Sequence, residues 1–104
     1  MYFEIDNYQD LAMSTRLESA DEVYAMLGLS GEVGELHGYI AKVIRDDTDI
    51  DREHIKKELG DILWFIAAIA HDQGLRLSEI ADTNINKLKK RKAAGTLQGS
   101  GDNR

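Results

Sequence analysis

Gly31-Glu32-Val33-Gly34-Glu35-Leu36, with its echo Glu58-Leu59-Gly60-Asp61-Ile62 further along, is the stretch on which the fold turns. Each segment carries an acid pair, ExxE in one and ExxD in the other, inside an otherwise apolar helical pattern. At about 100° of turn per residue, acids three positions apart lie on one side of a helix about one turn apart, so both reach the same ion. The echo extends to the apolar neighbours: a shift of 26 positions pairs Leu29 with Ile55, Leu36 with Ile62, Ile40 with Ile66 and Val43 with Ile69. These residues fall within about a quarter turn of Glu32 and of Glu58, which sets the acids at the border of faces that want burial. Like charges at this spacing repel, and partly desolvated carboxylates must be paired, protonated or bound to a cation. A divalent metal with hard oxygen ligands resolves the conflict.

A chain of 104 residues is one domain with a single modest core. Its glycines and apolar residues outnumber what that core uses, so a homo-oligomer is expected, a homodimer or a homotetramer built as a dimer of dimers. With no proline to break helices and with Ala, Leu, Lys and Glu abundant, long helices are the default. Strand-like alternation is not convincing anywhere. Thirteen Lys+Arg stand against 19 Asp+Glu, and a net charge of -6 argues against nonspecific binding to nucleic acid or to an anionic membrane. The absence of cysteine excludes disulfides, thiolate metal sites and a cysteine nucleophile, and is consistent with a reducing cytosol. No signal-peptide pattern opens the chain, and the longest apolar run, Ile62 to Ala70, is too short to span a bilayer. A cytoplasmic protein is the expectation.

Helices are expected over about Phe3–Leu17, Asp21–Arg45, Arg52–Asp72 and from an N-cap at Ser78 to about Ala93. Ser19-Ala20-Asp21-Glu22 has the S-x-x-E form of a capping box, and Gly74 suits the end of the third helix. The fold class is all-α, with the second and third helices as an antiparallel centre and the first and fourth completing a bundle that oligomerisation finishes. Residues 1–94 form the helical domain, and 95–104 a glycine-rich tail that composition reads as flexible. Gly28, Gly31, Gly34 and Gly38 each cost roughly 1 kcal/mol in a helix interior relative to alanine. Close approach by a helix or a phosphate, or a tight helix crossing, would explain them; both readings stay open. The acidic run Asp46 to Asp51 lacks the glycine and closing glutamate of a calcium loop and reads as a solvated connection.

Antiparallel packing of the two matched helices brings Glu32, Glu35, Glu58 and Asp61 together as an all-carboxylate cation site. Oxygen-only ligands favour magnesium, or manganese, over zinc or copper. A di-iron bundle requires Glu-x-x-His, and no glutamate here has a histidine three residues later. His37, His54 and His71 lack ligand spacing with the acid pairs and are assigned to surface or packing roles. Trp64, counted about 120° around the helix from Glu58, is expected in the core or at a subunit interface, away from the metal side.

Glu32-Val33-Gly34-Glu35-Leu36, followed by Glu58-Leu59-Gly60-Asp61-Ile62-Leu63-Trp64, resembles the MazG-type all-α nucleoside triphosphate pyrophosphohydrolases. Asn84-Ile85-Asn86-Lys87-Leu88-Lys89-Lys90-Arg91 is similar to that family's N-x-x-K-L-x-x-R segment, so the resemblance covers about Gly28 to Arg91. It implies magnesium-dependent hydrolysis of a nucleoside or deoxynucleoside triphosphate between the α- and β-phosphates, with a part in nucleotide-pool housecleaning. Glu32, Glu35, Glu58 and Asp61 match the family's metal ligands and catalytic acids, and Asn84, Lys87 and Arg91 its substrate-binding segment. Lys42 joins the phosphate-binding candidates from its placement near the Glu35 side of its helix. Tyr8, Gln9 and Thr15 are weaker base-pocket candidates, because the first helix lines the base site in relatives. Similar glycine-rich endings with G-D-x-R imply a tail that folds over bound nucleotide and brings Arg104 to the phosphates. Two other readings remain: a non-enzymatic helical dimerisation or adaptor module, and a phosphohydrolase for a damaged nucleotide or an alarmone.

Overall fold

Helix runs through this chain until a capping acid or a glycine stops it. The structure, a computed structural model, describes residues 4–99 and 101. It contains α1 (Ile5–Ser14), α2 (Glu22–Asp46), α3 (Arg52–Asp72) and α4 (Leu77–Ala94), and no strand among the described residues. The all-α class and the number of helices agree with the sequence. Phe3, where the first helix was expected to begin, lies outside the described residues.

Three boundaries differ from expectation for local chemical reasons. α1 ends at Ser14 rather than near Leu17, because the hydroxyls of Ser14 and Thr15 donate back to the carbonyls of Leu11 and Ala12 and close the last turn. Asp21, not Ser19, caps α2: its Oδ1 accepts from the amide of Tyr24 at 2.9 Å, while Leu17–Ala20 closes a turn of its own. Ser78 is not the cap of α4. Arg76 takes that position, and the first free amides of α4 are satisfied by α1, Leu77 N–H donating to Gln9 Oε1 and Ser78 N–H to Asp6 Oδ1, both at 2.9 Å. The Ser78 hydroxyl is spent on the other Asp6 oxygen. At the C-termini, Gly74 takes the left-handed conformation after α3 (φ 70°), as the sequence suggested, and Asp47 does so after α2 (φ 52°).

α2 and α3 run antiparallel: Ala25 shares a buried cluster with Phe65 and Ala68 near one end, and Tyr39 stacks on His54 near the other. A Cβ on Gly28 would overlap the Phe65 ring, so this glycine is a tight crossing. Gly31, Gly34, Gly38 and Gly60 have open space where a Cβ would stand, and packing within the chain does not explain them. A second buried cluster, Ala12, Ala67, Ala70 and Leu77, joins α1 to α3 and to the start of α4. Gln9, 1% exposed, ties the same three elements through the carbonyls of Ala67 in α3 (3.4 Å) and Leu75 (3.0 Å) and the amide of Leu77. Arg16 forks onto Asp72 at 2.8 and 2.9 Å and also holds the Ala20 carbonyl, fixing the α1–α2 connection against the end of α3.

α4 meets the rest of the chain chiefly through α1 and its own first turn, and does not close a four-helix bundle within one copy. The radius of gyration is 16.5 Å, whereas a compact domain of this length has about 13 Å. Val23, Leu27 and Ile44 on α2 and Ile85 on α4 remain exposed. No described helix is long and apolar enough to cross a membrane.

Candidate active site

The antiparallel pairing of α2 with α3 converts two sequence-local acid pairs into one cluster. Glu32, Glu58 and Asp61 each present a carboxylate oxygen within 4.8 Å of the other two. Glu32 Oε2 and Glu58 Oε2 are buried and make no hydrogen bond. Burial first, and then the charges of Glu35, Asp61 and Glu58, push the Glu32 carboxyl above its ordinary range. Buried carboxylate oxygens without partners are rare unless something else satisfies them, and an oxygen-only donor set fits a hard divalent cation such as magnesium or manganese. Glu35 stands beside this trio rather than in it, close enough to Glu32 to share a hydrogen bond when one of the two is protonated.

On the α1 side of the acids is a cavity of about 440 Å³. Thr15, Leu17, Tyr24, Trp64 and Phe65 line it, together with Glu32 and Asp61. Trp64 is therefore on the acid side, contrary to the count from Glu58. Measured from Asp61, three residues earlier, it is only about 60° around the helix. Its indole N–H is shared between the Ala12 carbonyl and the Thr15 hydroxyl, and its ring stands edge-on to Phe65. The packing role expected for Trp64 and its place beside the acids coexist. Thr15 lines the cavity; Tyr8 packs against the core, and burial and the charge of Asp61 raise its phenol pKa. Gln9 is not a base-pocket residue: it is buried and fully engaged in backbone hydrogen bonds.

On the other side of the acids, a cleft of about 310 Å³ is lined by Glu35, Gly38, Tyr39, Lys42, His54 and Glu58. Lys42 lies where its helix position suggested. Tyr39 and His54 stack with ring centroids 3.8 Å apart, and Tyr39 Oη accepts from the Asp51 amide at 2.8 Å. His54 Nε2 is 3.4 Å from Glu58 Oε1, so it does more than pack, whereas His37 and His71 are exposed. Sequence reasoning missed Tyr39 and His54, although a signal existed: each is four residues from an acid, Glu35 and Glu58, on the same helix face.

The α4 candidates lie elsewhere. Asn84 and Lys87 line a groove with Leu75, Glu79, Ile80 and Thr83 that contains none of the four acids. Arg91 is buried, 5% exposed, and donates to the Gly101 carbonyl at 3.2 Å, anchoring the described part of the tail. Arg104 lies outside the described residues.

A small all-α domain with a carboxylate trio set between two antiparallel helices defines the class. The sequence profile of the MazG nucleotide pyrophosphohydrolase domain matches residues 21–95, and the chain belongs to that family. It is also similar to the Gene 37 protein of Mycobacterium phage L5, 41% identical over 85 residues that cover 78% of this chain and 75% of the phage protein. No solved structure gives a significant match.

Proposed function

We propose that this protein hydrolyses nucleoside or deoxynucleoside triphosphates to the monophosphate and pyrophosphate, using magnesium, or manganese, held by Glu32, Glu58 and Asp61. The observation that carries the proposal is the buried, unpartnered oxygens of Glu32 and Glu58 inside a carboxylate trio of a MazG-family chain. A divalent cation bound there supplies charge neutralisation to the phosphate oxygens and lowers the pKa of a water. Glu35, outside the trio and adjacent to Glu32, is suited to orient the attacking water and accept its proton. The water oxygen bonds to the α-phosphorus, the bridge to the β-phosphorus breaks, and pyrophosphate leaves with the bond pair.

The aromatic cavity on the α1 side suits a nucleobase, with the Tyr24, Trp64 and Phe65 rings as its apolar surface. Lys42, Asn84, Lys87 and Arg91 are proposed phosphate or sugar contacts, and Arg91 donates to the Gly101 carbonyl, which links the α4 candidates to the tail. That linkage supports the further proposal that residues 95–104 close over bound nucleotide, with Arg104 adding charge, as a tail appended to the domain of residues 1–94. A homodimer or homotetramer is supported by the extended single chain and its uncovered apolar residues on α2 and α4. Nucleotide-pool housecleaning in the cytoplasm fits these properties.

Replacing Glu32, Glu35, Glu58 or Asp61 by alanine tests the assignment. Each substitution is expected to abolish most magnesium-dependent turnover while leaving helix content intact. Wild-type turnover in the Glu35 and Asp61 variants would contradict it.

A further inference from the structure

We infer that Arg16 is a positioning residue for substrate binding: by tying the α1–α2 turn to the end of α3, it sets one wall of the cavity on the α1 side of the acids; this rests on the pyrophosphohydrolase reading above. That turn is the part of the cavity lining with the least to hold it. Leu17, Ser19 and Ala20 line the cavity from the turn, and Thr15 does so from just before it. Leu17, Glu18 and Ser19 are all exposed, Leu17 at 72%, so the turn buries little apolar surface that would fix its place. The Ala20 amide donates to the Leu17 carbonyl at 2.9 Å, which closes the turn on itself without attaching it to the helices.

Arg16 supplies the attachment. Its Nε donates to the Ala20 carbonyl at 2.7 Å, at the far end of the turn, and its two terminal nitrogens donate to the two Asp72 oxygens at 2.8 and 2.9 Å. The Arg16 and Asp72 side chains are 13% and 14% exposed, so these charge-assisted bonds are largely shielded from water. Asp72 is the last residue of α3, where a carboxylate faces the partial negative charge of the helix C-terminus. The helix itself therefore does not favour an acid there, and the Arg16 fork offsets that cost. Arg16 does not line the cavity, and Met13 Sδ, Ala20 and Asp72 take four of its five N–H donors. It acts through the turn and not by touching substrate.

The opposite wall is fixed independently. Trp64 and Phe65 project from α3 edge to face, and the Trp64 indole N–H is held by the Ala12 carbonyl and the Thr15 hydroxyl. The width of the cavity is thus set by where the turn stands. A gap of about 0.5–1 Å forfeits a quarter to a half of a dispersion contact, so a displaced turn loosens whatever ring lies between the walls. Glu32 and Asp61 belong to α2 and α3, whose seam is held by Ala25, Phe65 and Ala68 and does not pass through the turn. Loss of the Arg16 clamp should therefore weaken binding and spare the metal site.

Steady-state kinetics of the full chain with its best triphosphate tests this role, using Arg16→Gln, Arg16→Lys, Asp72→Asn and the double variant Arg16→Gln/Asp72→Asn at a temperature where thermal melts show each folded. Each single variant is expected to raise KM by at least about threefold, with kcat and the magnesium concentration for half-maximal rate within about twofold of wild type. Arg16→Lys keeps the charge but cannot fork onto Asp72 and hold Ala20 at once, so it should behave like Arg16→Gln. The two ends of one clamp are not additive, and the double variant should exceed Arg16→Gln by no more than about twofold in KM. If Arg16→Gln fails to fold, Arg16→Lys and Asp72→Asn decide. Arg16 is not the anchor if folded variants keep the wild-type KM, if Arg16→Lys alone restores it, if kcat or the magnesium requirement changes as much as KM, or if the double variant multiplies the two single effects. A wild type that hydrolyses triphosphates beside variants of unchanged KM overturns this role alone; a wild type that turns over no triphosphate overturns the underlying reading with it.

Discussion

Replacing Gln9 by methionine keeps the volume of a side chain that is 1% exposed and removes its amide donor and carbonyl acceptor, leaving only a weakly accepting sulfur. Two backbone groups then lose the partner Gln9 provides: the Leu77 amide, 2.9 Å from Gln9 Oε1, and the Leu75 carbonyl, 3.0 Å from Gln9 Nε2. The Ala67 carbonyl, at 3.4 Å, is a weaker third contact within α3. Leaving a buried polar group unsatisfied costs about 1–3 kcal/mol, so the substitution should remove about 2–6 kcal/mol, a large share of the roughly 5–15 kcal/mol that stabilises a typical domain. At about 4–8 °C per kcal/mol for a domain of this size, Tm should fall by at least about 8 °C. The consequence reaches the candidate site, because Gln9 fixes α1, and α1 carries Thr15 against the Trp64 indole. Urea denaturation followed by far-ultraviolet circular dichroism measures the loss. A change below about 1 kcal/mol would show that water replaces Gln9 at little cost and that the α1–α4 junction is not held as described.

Gly28→Ala should destabilise the protein by about 1–3 kcal/mol through overlap with Phe65, whereas Gly34→Ala, facing open space, should raise stability by up to about 1 kcal/mol; equal effects in denaturant melts would refute the crossing. Glu32→Gln should stabilise the metal-free protein and weaken any magnesium-induced rise in Tm. Burial and the neighbouring acids raise the folded-state pKa of Glu32 above the ordinary glutamate range, so the folded protein binds more protons than the unfolded chain there, and stability declines as pH rises from that range through the folded pKa. Asp72, hydrogen-bonded to Arg16, and Asp6, hydrogen-bonded to Ser78, have lowered pKa values, so the folded state binds fewer protons and their stabilisation is lost as pH falls below about 3.8. Metal-free melts across pH should show both flanks, with Glu32→Gln flattening only the upper one; an unchanged upper flank would remove Glu32 as its cause.

The long helices were legible because apolar periodicity and the Gly74 stop are local signals. The start of α4 was not, since Asp6 and Gln9 supply its caps from some 70 residues away and displace Ser78 from that role. The acid trio was legible from matched spacing on two helices. The departure of Glu35 from it depends on the detailed offset of α2 against α3, which spacing on each helix leaves undetermined. Trp64 lies on the acid side because the acid it shares a cavity with is Asp61, about 60° away on the helix, and not Glu58, and the four-residue offsets of Tyr39 and His54 from Glu35 and Glu58 gain meaning only in the cleft they share.

The central claim is attack at the α-phosphorus of a nucleoside triphosphate. Hydrolysis of a panel of triphosphates in oxygen-18 water, with and without magnesium, followed by mass spectrometry of the products, tests it most directly. The account predicts magnesium-dependent formation of monophosphate and pyrophosphate with the heavy oxygen in the monophosphate. Label in pyrophosphate or orthophosphate, or no turnover of any triphosphate with magnesium or manganese, would contradict it.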